Sequence, residues 1–375
     1  MNENGLYPLK FHEIIRSYGV GGRKIPNKYN KDLPEDKKIA ETWEVADHDK
    51  DISIVKNGDW KDKNLRGLIW ELREKLLGDE IFNSFNMFFP LLLKLLDARE
   101  TLAVQIHPDD EYARENYLDH NGKAEVYHVL ETREDSSIHW GVKDGVTEEE
   151  MAEAIRAGKG LELTQEVPVE PGDTIPIPHR WIHAIGDGII VLELQQNADV
   201  TFEPGRVKKS INNKEYELYT GSDAADIFID QMIVEQVPRD QAKITPVSVN
   251  LGRNERDYLY ASEKFALELL NIKEEYRTSS DRDKFYLYTA IEGKGTINYP
   301  GGEELITKGD TVLVPAYLGD YSINPEPSCE LAKCFVPDLK KDIVDPLSEK
   351  GFGEEAVAGL GGYSSFNDVQ KYFNE

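Results

Sequence analysis

From residue 101 onward, short apolar runs alternate with turn signals: TLAVQIH, AEVYHVLE, SSIHWGV and GIIVLELQQ. Runs of this length, bounded by Gly, Pro and Asp, predict strands. The chain before them has a different texture. TWEV and ISIV predict short strands, and VGGRKIP a loop carrying Arg23 and Lys24. In WKDKNLRGLIWELREKLLG, Leu65, Leu68, Ile69, Leu72, Leu76 and Leu77 recur at helical spacing, and Gly78 is a stop. The helical signal continues unevenly to Pro90. The next run, LLLKLLDA at 91–98, suits a buried strand or a helix end equally well. One helix is expected inside the β region: Thr147 and Glu150 form a capping box before MAEAIRAG, and Gly158 ends it. Residues 211–243 are polar and irregular in pattern, and β texture resumes from 244 to 336.

The β region repeats itself. EPGDTIPIPHRWIHAIGDG in the first half matches TKGDTVLVPAYLGDYSI in the second: Gly-Asp-Thr, an apolar strand, a proline and a short loop. Many short strands with regular turns predict a mainly β chain of sandwich or barrel architecture. The expected units are 1–210 with a helical insertion at about 60–98, a connector at 211–243, a second β unit at 244–338, and an appended tail at 339–375.

Charge narrows the partners. The chain of 375 residues carries a formal net charge of −26, which argues against nucleic acid and anionic membranes. A phosphorylated small molecule remains compatible if its pocket is a positive island on a negative protein. The two cysteines, Cys329 and Cys334, lie five apart in a strand pattern, so they point to opposite faces and predict buried free thiols. That suits a reducing compartment. The N-terminus lacks a basic stretch followed by an apolar one, and no run reaches the roughly 18 apolar residues of a membrane span. A soluble cytoplasmic protein is expected.

The candidate chemistry sits in LAVQIHPDDEYARENYLDHNGKAEVYHVLE, residues 102–131. Gln105 and His107 are two apart and share a strand face. Glu125 shares its face with Tyr127 and Val129, and His183 follows the strand DTIPIP by a short loop. If these strands line one barrel, two imidazoles, a carboxylate and an amide converge, a donor set suited to zinc or another divalent ion. The other reading is a strand histidine paired to its neighbours and a salt-bridged carboxylate. Asp109 and Asp110 suit the turn after the strand, and Arg23 and Lys24 either a solvated loop or a phosphate contact. All eight histidines precede residue 184, so the second β unit has none. If the units are duplicates, only the first keeps imidazole chemistry.

FFPLLLKLLDARETLAVQIHPDDEYA, NGKAEVYHVLE and PHRWIHAIGDGIIVLELQQNADVT together resemble the type I phosphomannose isomerases. IEGKGTINY and LITKGDTVLVPA are similar to the C-terminal part of the same family. The resemblance covers most of residues 7–336. It implies two cupin domains, jelly-roll-like β-barrels, and a metal-dependent isomerase that interconverts mannose 6-phosphate and fructose 6-phosphate through an enediol. It implies Gln105, His107, Glu125 and His183 as zinc ligands, Lys123 near substrate, and Glu193 on the inward face near the metal. IAETWEV resembles the family's Gly-Glu-x-Trp segment, with Ala40 where glycine is usual. One departure stands out. After Gln195-Gln196 the family continues into an Arg and a Tyr-Asp pair, whereas this chain reads NADVTFEPGR, with Glu203 at the Arg position. His179 and Arg180, in the unusual PHRWIH loop, are candidates to supply the lost acid–base or cationic groups. The alternatives are an isomerase of the same fold acting on another sugar, or a non-catalytic sugar-sensing cupin.

Overall fold

The computed structural model describes residues 5–48, 51–85, 87–116, 121–212 and 215–373. His120, residues 213–214 of the expected connector, and the chain ends at 1–4 and 374–375 lie outside the described residues. The protein is mainly β, as its alternating pattern predicts.

The first barrel is built from two sheets. One is six-stranded and antiparallel, in the order Thr174–Ile177, Glu125–Glu131, Ile189–Gln196, Leu91–Ala98, Glu41–Val45, Ile14–Arg16. The other contains Thr164–Pro168, Ser137–Val142 and His183–Ile185. Isolated bridges between Gln105 and His183 and between Ile106 and Phe202 extend it towards the hairpin of Phe202–Glu203 and Arg206–Asn212.

The ambiguous run at 91–98 is a strand, and its burial explains the ambiguity. Leu91, Leu93 and Leu95 enter the large core shared with the second half of the chain. Leu92 packs with Trp43 and Ala46, and Leu96 with Tyr127 and Val129, on the barrel side. A strand buried on both faces loses its polar alternation and reads as a continuous apolar stretch. Lys94 and Asp97 are the polar exceptions in that run, and Lys94 points into the first barrel.

The second barrel runs Val247–Leu251, Asn254–Ala261, Ala266–Ile272, Asp320–Phe335, Tyr286–Tyr299, Thr311–Val314. Its edge is then taken by Leu9–His12 from the start of the chain, which also pairs with Ile54–Val55. Thr174–Ile177 lies beside Glu125–Glu131 as Thr311–Val314 lies beside Tyr286–Tyr299. The Gly-Asp-Thr repeat of the sequence therefore marks equivalent strands. Phe89 and Phe285 stack at 4.9 Å between the halves.

The Leu-rich segment forms three helices, Leu65–Leu72, Glu74–Leu77 and Asp79–Phe85. Asn64 caps the first by accepting from Gly67 N at 2.7 Å. The run is interrupted at Arg73, whose φ of 53° is incompatible with a continuing right-handed helix. The Thr147 capping box forms and starts Glu148–Arg156. The stretch read as irregular holds a helix, Gly221–Gln231, which buries Ala224, Ala225 and Phe228. Its small and widely spaced apolar residues hide the helical period. In the expected tail, Leu339, Ile343, Val344, Leu347, Val357, Leu360 and Val369 are buried in the large core. Cys329 and Cys334 are free and buried, and burial raises both thiols.

Candidate metal centre

Backbone pairing brings the first-barrel residues together. Gln105 and His183 exchange both backbone hydrogen bonds, at 2.9 and 3.0 Å. Directly opposed residues of an antiparallel pair project to the same face, and His107 shares that face two residues on. Glu125 comes from the other sheet, where it opposes Ile177 and Gln195. The side chains of His107, Glu125 and His183 offer donor atoms within 4.8 Å of one another, and all three residues are buried. Gln105 is half-buried beside them.

The imidazole tautomers are set by the backbone. His107 Nδ1 faces Val200 O at 2.9 Å, and His183 Nδ1 faces Trp181 O at 2.8 Å. A carbonyl can only accept, so each Nδ1 carries the proton and each Nε2 turns its lone pair into the barrel. His107 Nε2 lies 3.4 Å from Glu125 Oε1, and His183 Nε2 lies 3.7 Å from Glu125 Oε2. His183 Nε2 is fully buried with no hydrogen-bond partner. A buried polar atom without a partner costs about 1–3 kcal/mol unless something else satisfies it. Burial holds both imidazoles neutral: it brings His107 down to about 3, helped by the nearby Lys123 charge, and lowers His183 as well. Burial alone would raise Glu125, but the Lys123 ammonium beside it holds its carboxyl well below the usual range. Tyr127 OH donates to Glu125 Oε2 at 2.7 Å and fixes the carboxylate. Two neutral imidazole lone pairs, an ionised carboxylate and a nearby amide form a donor set that fits a divalent cation such as zinc.

A charged row runs across the same sheet. Trp43, Lys94, Glu193 and Tyr127 oppose one another in register. Lys94 Nζ donates to Glu193 Oε1 at 3.0 Å and lies 3.8 Å from Glu41 Oε2. Burial and the Glu125 charge push the Glu193 carboxyl up to about 8. Lys94 stays protonated because Glu193 and Glu41 outweigh its burial. Lys123 Nζ contacts Glu125 Oε1, lies 3.3 Å from His107 Nε2 and reaches Glu193 Oε1 at 4.0 Å.

The loop carrying Lys123 is held amide by amide. Gly122 N donates to Asp110 Oδ1, Lys123 N to Pro108 O and Ala124 N to Gln196 Oε1. A Cβ on Gly122 would meet the Asp109–Asp110 backbone at 2.6–2.7 Å, so only glycine allows this approach. Asp110 therefore shapes the turn and clamps it. His179 belongs to this clamp, with Nε2 at 2.6 Å from Gln196 Oε1. Arg180 is drawn to Gln231 O at 2.7 Å and lies 3.7 Å from Asp109. Glu203 sits at the tip of a hairpin, opposite the exposed Arg206. His107, Lys123, Glu125, His183 and Glu193 thus gather at one centre, with Gln105 opposite His183 on the paired strand, while His179 and Arg180 engage its supporting loops.

Residues 9–136 match the model for the phosphomannose isomerase type I catalytic domain, and residues 254–336 that for the mannose-6-phosphate isomerase cupin domain. The mannose-6-phosphate isomerase of Streptococcus mutans is 30% identical over 312 residues, covering 82% of this chain and 92% of the relative. The chain belongs to the type I phosphomannose isomerase family. It is an enzyme of the isomerase class by that membership. The Bacillus subtilis mannose-6-phosphate isomerase ManA is also 30% identical, over 86% of this chain and 97% of its own length. A crystal structure of the mannose 6-phosphate isomerase from Bacillus subtilis superposes with a TM-score of 0.73 at 25% identity, over 88% of this chain and 99% of the other.

Two members of the centre escape a sequence reading. Lys94 is hidden in an apolar run, where a single lysine among five leucines was the available signal. Glu41 lies in the Glu-x-Trp segment, where its carboxylate accepts from Trp43 Nε1 at 2.8 Å and faces Lys94.

Proposed function

We propose that this phosphomannose isomerase family member is a zinc-dependent aldose–ketose isomerase that interconverts mannose 6-phosphate and fructose 6-phosphate through an enediol. Gln105, His107, Glu125 and His183 would hold the ion. The observation that carries this reading is the buried, partnerless His183 Nε2, aimed with His107 Nε2 at one ionised carboxylate. A divalent ion there supplies electrophilic polarisation of a substrate oxygen.

The chain's own groups supply the rest. Isomerisation moves a hydrogen between adjacent carbons, so a group must take and return a proton near neutral pH. Glu193, raised to about 8 and held by Lys94, can exchange a proton at its carboxylate oxygens. Lys123 offers its ammonium to a hydroxyl or developing oxyanion beside Glu193. His179 and Arg180 act on the loops that bound the pocket. We read 1–210 as the metal-binding barrel with its helical insertion, apart from Leu9–His12 and Ile54–Val55, which edge the second barrel, 211–243 as the connector, 244–338 as the second barrel and 339–375 as an appended tail, in a reducing cytoplasmic setting. Among the described residues, no helix is long and apolar enough to cross a membrane.

One observation favours a second reading, an isomerase of the same fold on a different sugar: Glu203 replaces the arginine that the family resemblance implies. A coupled assay with mannose 6-phosphate, with and without chelator, tests the proposal. Chelator-sensitive turnover is expected. Absence of turnover by fully metal-loaded protein sinks it, and turnover of another aldose instead selects the second reading.

A further inference from the structure

At the other end of the first barrel lies a cavity of about 330 Å³ lined by Gly22, Arg23, Lys24, Asn27, Asp97, Arg99, Arg133 and Gly188. Four of these residues are cationic, and one, Asp97, is acidic. On a chain of net charge −26 such a concentration runs against the overall field. The positive charges are only partly neutralised. Arg99 pairs with Glu100 and Arg133 with Asp187, both at exposed positions. Lys24 Nζ donates to Gly188 O at 3.0 Å, and Arg23 to Pro34 O and Lys37 O. Carbonyls orient these two cations without cancelling their charge, and neither is ion-paired to a carboxylate among the described residues. Asp97, the single acid of the wall, already accepts from Lys24 N at 2.8 Å. Gly188 has a φ of 81°, and a Cβ there would meet Arg133 Cδ at 2.5 Å, so the glycine lets the arginine stem lie along the cavity wall.

This cavity is separate from the metal centre. Glu125 begins the strand Glu125–Glu131, and Arg133 follows its far end. Six residues of strand span roughly 20 Å, beyond the reach of one hexose phosphate. Arg23 and Lys24 therefore do not contact a phosphate whose sugar sits at Glu125. The volume falls in the range of small-ligand pockets, about 300–1,000 Å³, and guanidinium groups are matched to phosphate oxygens.

We infer that this cavity is a second anion site, which takes a phosphate-bearing small molecule independently of the metal centre. Isothermal titration of the full-length protein with inorganic phosphate tests it, using wild type, His107→Ala and the triple variant Lys24→Gln, Arg99→Gln, Arg133→Gln. Wild type and His107→Ala are expected to bind with equal, salt-sensitive affinity, and the triple variant at least tenfold more weakly. Parallel titration of His107→Ala with mannose 6-phosphate separates the sources: tighter binding than inorganic phosphate identifies a phosphomonoester site, and equal binding a free-phosphate site. Loss of phosphate binding in His107→Ala, unchanged binding in the triple variant, or no saturable binding to wild type overturns the inference. The single variant Arg133→Gln, at an exposed position, gives the same readout in smaller measure if the triple variant folds poorly. Since the inference rests on no sugar chemistry, it stands or falls separately from the isomerase assay.

Discussion

The two barrels carry the same acid–base pair with its polarity reversed. In the first, the row across the sheet reads Trp43, Lys94, Glu193, Tyr127. In the second it reads Tyr258, Glu268, Lys333, Tyr288. The lysine–glutamate contacts are 3.0 and 3.2 Å, and the lysine and glutamate have exchanged strands. The surroundings then diverge. Glu125, which opposes Ile177, corresponds to Tyr286, which opposes Val314. Where the first barrel has a carboxylate facing two imidazoles, the second has a phenol, with Arg256 3.8 Å from Glu268 and hydrogen-bonded to Tyr276. The lesson is that a buried ion pair is compatible with either role. What distinguishes the barrels is the pair of imidazole Nε2 atoms that the first aims at its carboxylate.

The largest expected contrast comes from the imidazoles. His183→Ala is expected to lose bound divalent ion and to reduce turnover by at least ~10²-fold, more than loss of a supporting outer contact. Metal content by atomic absorption decides it, and full occupancy in the variant would falsify the ligand assignment. Next comes the ion pair itself. Lys94→Met leaves Glu193 and Glu41 without their buried cation and is expected to cost about 3–5 kcal/mol. Lys333→Met leaves Glu268 with Arg256 nearby and is expected to cost less, about 1–3 kcal/mol, with turnover close to wild type. Equal losses in denaturant unfolding, or equal losses of turnover, would erase the distinction between the barrels.

A smaller effect lies at the contact between them. Lys264 of the second barrel bonds Asp110 of the first at 2.5 Å, and Gln196 and Gly122 also donate to that carboxylate. Burial opposes ionisation, but these donors bring Asp110 down to about 2 from 3.8. Its folded-state value is lowered, so its stabilisation is full above about pH 4 and disappears as the pH falls towards 2. Because both groups are partly exposed, the loss is on the order of 1–2 kcal/mol after screening. Comparing acid unfolding of wild type and Asp110→Asn checks this; parallel curves between pH 4 and 2 would mean that the Lys264–Asp110 contact does not stabilise the fold.

Much of the centre was legible because strand geometry is periodic. QIH places two residues on one face whatever the tertiary structure, and the Gly-Asp-Thr repeat marks the same strand in both barrels. Lys94 was harder to read, because a strand buried on two faces shows no alternation to flag an inward residue. The settings of His179 and Arg180 were also hidden. Their partners, Gln196 and Gln231, are 17 and 51 residues away, and local spacing carries no information about such contacts. The helix at Gly221–Gln231 leaves little trace in the pattern because two of its three buried residues are alanines, which register weakly as hydrophobic.

The strand Leu9–His12 has a consequence for how the protein is made. Leu9 and Lys10 pair with Leu313 and Val312, while Phe11 and His12 pair with Val55 and Ile54. This strand thus has one partner available early in synthesis and the other only about 300 residues later. At the usual ~5–20 residues per second of synthesis, that second edge stays open for roughly 15–60 s. During this interval the strand offers unpaired backbone groups, and its own Lys10 and His12 keep it from being wholly apolar.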